Sequence, residues 1–296
     1  MIKTIDIHTK SIVAVGDLHG YFEDIGYFIK SYNFTDTAII FCGDIGMGFC
    51  RPEHYKTVFN KISRVINKRN GHLIFLRGNH DNPLYFDGNF MSKSKCIHFV
   101  KDYTVINFYK MDDTDKINEP YSVLAVGGGL SIDRTWRIRH TEEVARKYMR
   151  YHKGVNLEMA YKECPQCYWS NEMPVYDGAS LNEIKDNGIN IRVICTHTSP
   201  NFTYPFTKEG IRGWLLEDDK LEEDLNKERQ VMTNLYEKVI ADGHPLEIWC
   251  YGHYHIHNTE IIDNVKFYLL DMDRNGVMDF VEIYRNDNET NENIIP

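Results

Sequence analysis

Five short segments of this chain carry Asp, Asn and His side chains at spacings that suit metal binding. They are Gly16-Asp17-Leu18-His19, Gly43-Asp44, Gly78-Asn79-His80-Asp81, Thr196-His197 and Gly252-His253-Tyr254-His255. The oxygen and nitrogen donors of these residues suit divalent first-row metals. The residue types therefore favour a dinuclear metal site as the first hypothesis.

Apolar, strand-like runs lie before these segments along the chain. The runs cover residues 11–15, 38–42, 72–76, 191–195 and, with a more mixed composition, 247–251. Ligands at the ends of separate strands converge on one rim of a sheet. Asp17 and His19 are two residues apart, as are His253 and His255, so each pair projects the same way from an extended segment.

The remaining pattern indicates how these strands are connected. Apolar residues at helical spacing predict helices over 20–30 and 53–68, and a long charged helix is expected near 217–241. Further strand-like runs cover residues 96–100, 103–108, 121–126, 259–262, 266–270 and 277–284. Strands that alternate with helices and then form β hairpins predict an α/β fold. The expected architecture is a four-layer α/β/β/α sandwich of two mixed sheets flanked by helices.

The pattern predicts a single domain over residues 1–285. Residues 131–189 are polar and helix-leaning, with few strand signals, so they are interpreted as an inserted helical cap or lid. Residues 286–296 are rich in Asn, Asp and Glu and are expected to be a frayed tail. The acidic stretch 112–115 is interpreted as a solvated hairpin loop, with cation binding as the alternative.

Composition excludes several classes of protein. In 296 residues the hydrophobic share is 42% and the aromatic share 13%, which is neither disordered nor fibrous. A net charge of −9 argues against a surface that coats nucleic acid, although bound cations would still permit a small phosphorylated substrate. The N-terminus lacks the apolar core of a signal peptide, and no run reaches membrane-spanning length. With seven cysteines, best explained as free thiols, a cytoplasmic protein without membrane association is expected.

In this order, the five segments resemble the motifs of the calcineurin-like metallophosphoesterase superfamily, and the resemblance extends from Asp17 to His255. It implies the fold predicted above and two divalent cations per chain. The first cation would be held by Asp17, His19, Asp44 and His255. The second would be held by Asp44, Asn79, His197 and His253, with Asp44 as the bridging carboxylate. Manganese is the first expectation for both, with iron, zinc, nickel or cobalt as alternatives.

The same resemblance places His80 outside the ligand set. It implies that His80 protonates the leaving oxygen as a general acid or stabilises the phosphoryl group, with Asp81 orienting its ring. A hydroxide that bridges the two cations would attack phosphorus. Two divalent cations outweigh the charges of the hydroxide, Asp17 and Asp44, so the site would attract a phosphate ester despite the acidic protein.

Three arginines are candidates for substrate binding. Arg77 adjoins the Gly78-Asn79-His80 segment and could contact a phosphate oxygen bidentately, or it could lie at the surface at a strand end. Arg134 and Arg137 belong to residues 127–137, which look like a segment of bacterial and phage members. Trp169, three residues before Glu172, continues that likeness. The alternative for this segment is a glycine turn in which Ser131 or Asp133 caps a helix.

The motifs also narrow the choice of phosphoesterase. Gly16-Asp17-Leu18-His19-Gly20 resembles the first motif of the Ser/Thr phosphoprotein phosphatases, but no arginine follows Asp44 until Arg51, and Asp81 stands where their third motif has Glu. These departures favour the small bacterial or phage phosphoesterases, which act on phosphomonoesters, nucleotides or phosphodiesters.

Three functional hypotheses follow. The first is a metal-dependent phosphatase or phosphodiesterase whose partner is a small phosphorylated substrate, a nucleotide or a phosphoprotein. The second is a nuclease of the same superfamily, which the acidic charge and the lack of a basic stripe argue against. The third is a non-catalytic metal-binding scaffold, which the presence of every ligand and of His80 argues against. No sequence feature bears on the oligomeric state.

Overall fold

The computed structural model describes residues 2–88, 94–111, 119–164, 166–274 and 276–286. Within these ranges the strands are β1 (Thr4–Thr9), β2 (Ser11–Val15), β3 (Thr37–Phe41), β4 (His72–Phe75), β5 (Ile97–Phe99), β6 (Thr104–Lys110), β7 (Tyr121–Val126), β8 (Ile191–Thr196), β9 (Ile248–Tyr251), β10 (Asn258–Ile262), β11 (Val265–Leu269) and β12 (Phe280–Arg285). The helices are α1 (Phe22–Ser31), α2 (Pro52–Lys68), α3 (Arg134–Tyr151), α4 (Leu157–Glu163), α5 (Gly178–Asp186), α6 (Ile211–Leu215) and α7 (Leu221–Ala241).

The strands form two mixed sheets. The larger sheet has the order β1-β6-β7-β8-β9-β11-β10, and the smaller has the order β12-β2-β3-β4-β5. Helices α1 and α2 pack on the smaller sheet, and α5 and α7 pack on the larger one. The predicted four-layer α/β/β/α sandwich is confirmed.

Continuous apolar runs in the sequence are explained by strands that are buried on both faces. On β2, Ile12 and Ala14 face the layer between the sheets, whereas Val13 and Val15 face α1 and α2. The layer between the sheets includes Ala38, Ile40, Ile74, Ile106, Val123, Ala125, Val193, Cys195 and Cys250. Each large aliphatic side chain buried in this way contributes about 1.5–3 kcal/mol of hydrophobic stabilisation.

The carboxyl ends of two groups of parallel strands meet at one edge of the sandwich. In the smaller sheet β2, β3 and β4 are parallel, and Phe41 pairs with both Val15 and Phe75, so the three strands end level. In the larger sheet β7, β8 and β9 are also parallel. The ligand-bearing segments follow β2, β3, β4, β8 and β9, which is the placement that the sequence predicts.

The segment 131–189 contains α3, α4 and α5 and connects the parallel strands β7 and β8. Its last helix is part of the sandwich, because Leu181 and Ile184 of α5 are buried in the core against the larger sheet. Its first helix, α3, reaches the metal-binding edge through Arg137. The interpretation of the whole segment as a cap or lid stays a prediction, as do the domain boundaries.

Two ends of the fold differ from the sequence-based expectations. Strand β1, which pairs in parallel with β6, was not anticipated, because only two of its six residues are buried and its apolar signal is weak. Strand β12 begins at Phe280 rather than at 277, since Arg274 and Val277 pair across a turn in which Gly276 has a φ of 83°. The acidic stretch 112–115 and residues 287–296 of the expected tail lie outside the described residues.

Within the described ranges, none of the helices combines the length and apolar character needed to cross a membrane.

Candidate metal centre

The predicted ligands form two groups that share one carboxylate. Asp17, His19, Asp44 and His255 have donor atoms within 4.8 Å of one another, and the same holds for Asp44, His197 and His253. Asn79 joins the second group, because its Oδ1 lies 3.0 Å from His197 Nε2. We call Asp17, His19, Asp44 and His255 the exposed ligand set, and Asp44, Asn79, His197 and His253 the buried ligand set.

The imidazole nitrogens within each set face one another at close range. His19 Nε2 lies 3.0 Å from His255 Nε2 in the exposed set. His253 Nδ1 lies 3.1 Å from His197 Nε2 in the buried set. Nitrogens that converge in this way can share one cation, with Nε2 or Nδ1 as the ligand atom.

Glycines allow the ligand loops to approach one another closely. A Cβ atom on Gly78 would lie 2.1 Å from Asp44 Oδ1, and one on Gly252 would lie 2.0 Å from Asp17 Oδ1. Both distances are far below van der Waals contact, so only glycine fits at these positions. The glycines of two of the motifs are therefore explained by the space that the ligand carboxylates occupy.

Several ligands have a backbone conformation that non-glycine residues rarely adopt. His19, Asp44, His253 and His255 all have positive φ angles, between 48° and 71°. Such residues typically cost about 1–3 kcal/mol each and cluster at functional sites. Backbone hydrogen bonds hold the loops in place; for example, His19 N donates to Asp44 O at 2.7 Å.

The shared carboxylate fits a pair of cations. Asp44 Oδ1 accepts a hydrogen bond from His80 N at 2.7 Å, but Oδ2 is buried and accepts none from the described residues. Oδ2 lies 3.9 Å from His19 Nε2, too far for a hydrogen bond. Two metal–ligand bonds of about 2 Å each can span such a gap. A buried carboxylate oxygen without a donor is costly unless a cation or a proton satisfies it, and the surrounding neutral donors favour a cation.

The pKa values of His197 and Asp44 show that negative charge dominates the electrostatics of the metal centre. Burial lowers the pKa of His197, but the charges of Asp44 and Asp17 outweigh it and raise that pKa to about 9. Burial raises the pKa of Asp44, yet the nearby imidazoles, His197 first, together outweigh it and hold that pKa well below the ordinary range. The aspartates therefore attract positive charge into the centre, which divalent cations can supply in place of the His197 proton.

A hydrogen bond outside the cluster fixes the ring of His197. Its Nδ1 donates to the carbonyl oxygen of Cys42 at 2.9 Å, so in the neutral ring the lone pair is on Nε2 and is directed at the buried ligand set. A metal-ligating histidine usually has such an outer partner, because the partner fixes both the tautomer and the orientation of the ring.

His80 lies beside the cluster as expected, but its partner was not foreseen. Arg137 Nη2 lies 2.9 Å from His80 Nε2, and arginine can only donate, so Nε2 accepts and carries no proton. Burial and then the charge of Arg137 lower the pKa of His80 to about 3, against the opposing charge of Asp44. His80 is therefore neutral in this arrangement.

The structure does not place Asp81 against the ring of His80. The Asp81 carboxylate instead accepts four backbone N–H groups, from Ile45, Gly46, Met47 and Gly78, at 2.7–3.0 Å. Burial and the nearby charge of Asp44 raise its pKa to about 6, although the N–H donors act in the opposite direction. Asp81 thus ties the loop after Asp44 to the loop that carries Asn79 and His80, and the structure gives no support to its expected role in orienting the ring.

Of the three candidate arginines, the structure brings only Arg137 to the cluster. The guanidinium of Arg77 is buried and donates to Asp102, with Nη2–Oδ2 at 2.6 Å, and to backbone carbonyls that include that of Glu172. Arg134 forms ion pairs with Asp218 and Asp224. Because both guanidinium groups are held by partners outside the two ligand sets, neither position supports the expected phosphate contact.

The expected capping of α3 also differs in detail. Asp133 is the N-cap residue, but its side chain makes no capping hydrogen bond. It instead accepts from Arg137 Nε at 2.6 Å and so helps to hold the guanidinium at His80. Ser131 does not cap the helix; its hydroxyl lies between Asn79 and Glu172.

Sequence reasoning missed two charged residues at the buried ligand set. Lys208 Nζ lies 3.3 Å from both ring nitrogens of His253, and Glu228 Oε1 lies 4.0 Å from His253 Nε2. Glu228 had a detectable signal, because it occupies a position on the apolar stripe of α7 between Leu221 and Met232. Lys208 had none, since it lies in an irregular segment without motif or periodicity.

A two-sheet α/β sandwich with two ligand sets that share a carboxylate is the framework of a dinuclear metalloprotein. Residues 10–257 match the family model for calcineurin-like phosphoesterases. The match covers most of the chain, and the chain therefore belongs to the calcineurin-like phosphoesterase family. The family match and the two ligand sets support a phosphoester hydrolase with a metal centre.

Several solved structures are similar to this chain at low sequence identity. A dimetal phosphatase from Danio rerio is 11% identical, with 90% of this chain and 88% of that chain covered and a TM-score of 0.44. A putative 5'-nucleotidase from Staphylococcus aureus is 12% identical, with coverages of 92% and 52% and a TM-score of 0.41. Phosphopantetheinyl hydrolase from Mycobacterium tuberculosis is 12% identical, with coverages of 92% and 95% and a TM-score of 0.39. Likenesses at this level do not indicate a substrate. No curated protein matches this chain in sequence.

Proposed function

We propose that this protein is a dinuclear-metal phosphoesterase that hydrolyses phosphomonoesters or phosphodiesters. The observation that carries the proposal is Asp44, which belongs to both ligand sets and whose buried Oδ2 has no hydrogen-bond donor among the described residues. A structural single-metal site would need only one of these sets. Manganese is the first candidate for both ions, because carboxylate, amide and imidazole donors accept it readily.

In this proposal each ligand set holds one ion, and the two ions supply the chemistry. When bound, two divalent ions would supply a nucleophile from water and stabilise the leaving oxygen of an in-line displacement. Asp17, His19 and His255 would hold one ion and Asn79, His197 and His253 the other, with Asp44 shared. Most ligands are neutral, so the centre keeps a positive charge that attracts a phosphate ester.

Two cationic side chains flank the centre and support binding of an anionic group. Arg137 reaches His80, and Lys208 reaches His253. A phosphoryl group between them would receive charge-assisted hydrogen bonds from both ends. We therefore assign phosphate binding to Arg137 and Lys208. The substrate class is a small phosphorylated molecule, a nucleotide or a phosphoprotein.

His80 and Arg137 act as a pair in this proposal. Arg137 occupies the position next to His80 Nε2 that a leaving oxygen would need in order to receive a proton from that atom. A bound phosphoryl oxygen can accept the hydrogen bond of Arg137 in place of His80 Nε2. His80 Nε2 is then free to take up a proton from solvent and to donate it to the leaving oxygen. General acid catalysis by His80 thus depends on a substrate that displaces the guanidinium from the ring.

Hydrolysis of p-nitrophenyl phosphate and of bis(p-nitrophenyl) phosphate by the Mn²⁺-loaded protein tests the proposal. We expect hydrolysis of at least one ester, and its loss in Asp44→Asn. Failure on both esters, with two ions bound per chain, would instead favour a non-catalytic scaffold. Degradation of single-stranded or duplex DNA would favour the nuclease. A subsequent comparison of nucleotides, cyclic nucleotides, dinucleoside polyphosphates and phosphopeptides would identify the substrate class.

A further inference from the structure

A chain of three buried side chains leads from the amide of Asn79 away from the metal centre. Asn79 Nδ2 donates to Ser131 Oγ at 3.0 Å. The Ser131 hydroxyl donates to Glu172 Oε2 at 2.8 Å, and Ser131 N donates to Glu172 Oε1, also at 2.8 Å. All three residues are about 1% exposed, so water does not compete for these hydrogen bonds.

The direction of these hydrogen bonds matters, because an amide can face the metal with either of its two ends. Only the oxygen of Asn79 can be a metal ligand; its NH₂ group has no lone pair to offer. A serine hydroxyl can donate or accept, so Ser131 alone does not fix the amide. A carboxylate accepts only, so ionised Glu172 accepts a hydrogen bond from the hydroxyl of Ser131. The lone pair of Ser131 Oγ is then left to accept from Asn79 Nδ2.

We propose that Glu172 is a positioning residue that acts through Ser131 to keep Asn79 Oδ1 directed at the buried ligand set. The inference rests on the dinuclear centre proposed above, and it adds to that centre a requirement for residues outside the ligand motifs. Asn79 Oδ1 does lie 3.0 Å from His197 Nε2, on the side opposite to Ser131. Burial raises the pKa of Glu172 to about 8, although the hydrogen bonds from Ser131 and the charge of Arg137 act in the opposite direction. The positive charge of bound cations lowers that pKa and so favours the ionised form that this hydrogen-bond direction requires.

We call the hydrogen-bonded side chains of Asn79, Ser131 and Glu172 the relay. The position of Glu172 in the fold explains how the relay is held in place. Arg77 Nη1 donates to the Glu172 carbonyl at 2.7 Å, and Gly129 N donates to the same carbonyl at 3.1 Å. The backbone around Glu172 is thus joined to the turn that follows β7. The predicted phosphate-binding residue Arg77 therefore supports the segment on which this positioning residue lies.

Three substitutions distinguish the effect of hydrogen-bond direction in the relay from the effect of side-chain size. In Glu172→Gln the side chain keeps its shape, but its NH₂ group donates to Ser131 Oγ and turns the hydroxyl proton toward Asn79. Ser131→Ala removes the relay, and Ser131→Thr keeps the hydroxyl. Asp242→Asn is the matched control, because it neutralises a carboxylate that pairs with Lys185 and Lys238 at the end of α7.

Titration calorimetry with Mn²⁺ on the metal-free variants, together with metal analysis, measures the effect. We expect Glu172→Gln and Ser131→Ala to lower the affinity for one of the two ions by about 10–100-fold, as is usual when the outer hydrogen-bond partner of a metal ligand is lost. Ser131→Thr and Asp242→Asn should bind both ions as the wild type does. Thermal unfolding without metal identifies any variant that fails to fold. If Glu172→Gln folds and binds both ions with wild-type affinity, the proposal is wrong.

A second measurement tests the hydrogen bond from Asn79 to Ser131 without any metal. The side-chain amide protons of Asn79, assigned by their loss in Asn79→Asp, should exchange slowly with solvent in the wild type and in Ser131→Thr. They should exchange faster in Ser131→Ala, and equal exchange in the two variants would contradict the relay. Failure of the proposed function would look different, because the wild type would then bind two ions and hydrolyse no phosphoester.

Discussion

The two ligand sets differ in how their residues are held. In the exposed set, the side chains of His19 and His255 are 15% and 34% accessible to solvent. In the buried set, those of His197 and His253 are 0% and 1% accessible. The ligands of the buried set also have outer partners, namely the Cys42 carbonyl for His197 and Ser131 for Asn79.

This difference indicates a division of labour within one centre. Ligands that are held by outer hydrogen bonds are preorganised, so the ion in the buried set should bind more tightly and exchange more slowly. Ligands that reach into solvent leave room for water and substrate, so the exposed set should be the side from which a phosphate ester approaches. His80 lies on the exposed side, with its ring 4.9 Å from that of His19.

Loss of the shared carboxylate is expected to have the largest effect. Asp44→Asn removes the charge that both sets use, so binding of both ions should weaken and hydrolysis should fall to background. Metal analysis and a p-nitrophenyl ester assay measure the two effects, with Asp242→Asn as the control. Retention of one tightly bound ion in Asp44→Asn would show that the buried set binds its ion independently of the shared residue.

Replacement of His80 is expected to separate catalysis from metal binding. In His80→Ala, kcat should fall by about 10²–10⁴-fold, the usual contribution of general acid–base catalysis, while both ions stay bound. His80 is adjacent to the ligands but belongs to neither set, which is the physical reason for this expectation. Steady-state kinetics with metal analysis test it, and a crystal of the variant with no metal bound would contradict the assignment.

The ligand histidines themselves offer a direct comparison of the two sets. Release of Mn²⁺ to a chelator should be biphasic in the wild type, with phases that differ by about 10–100-fold in rate. His255→Ala should remove the faster phase, which belongs to the ion in the exposed set, whereas His197→Ala should abolish the slower phase. If both variants lose the same phase, the two sets do not differ as the structure indicates.

The pH dependence of stability should reverse when metal binds. The pKa of His197, about 9 in the folded protein against an ordinary value of 6.5, is raised. Protonation of His197 therefore stabilises the metal-free protein fully below pH 6.5, and this contribution is lost as the pH rises through 9. Metal binding needs the neutral ring, so metal-dependent stability should increase over the same range. Urea unfolding with EDTA and with Mn²⁺, at pH 6.5 and pH 9, measures both slopes.

Arg77 should affect stability more than turnover. It is buried and paired with Asp102, so Arg77→Met should lower the free energy of unfolding by roughly 3 kcal/mol. Arg139→Met, which breaks an exposed ion pair with Glu217, is the control and should cost less than about 1 kcal/mol. Urea unfolding measures both values. A rise in KM for the folded Arg77→Met enzyme, with both ions bound, would restore a direct substrate contact for Arg77.

The fold could be predicted well from the sequence, because most of its strands are buried on both faces and appear as continuous apolar runs. Strand β1 has an exposed alternate face and a weak signal, and it was missed. The ligands could be predicted because they lie in short segments directly after strands, where local sequence fixes the loop. The positions of Asp17, Asp44 and Asn79 relative to β2, β3 and β4 are such cases.

The sequence by itself determined which residues could bind metal, since their types, order and glycine neighbours are local properties. Tertiary structure decided everything that depends on partners distant along the chain. It placed Arg137 at His80, brought Lys208 to His253, and paired Arg77 with Asp102. A long cationic side chain reaches several possible partners from one backbone position, so its contact depends on packing rather than on its neighbours in sequence.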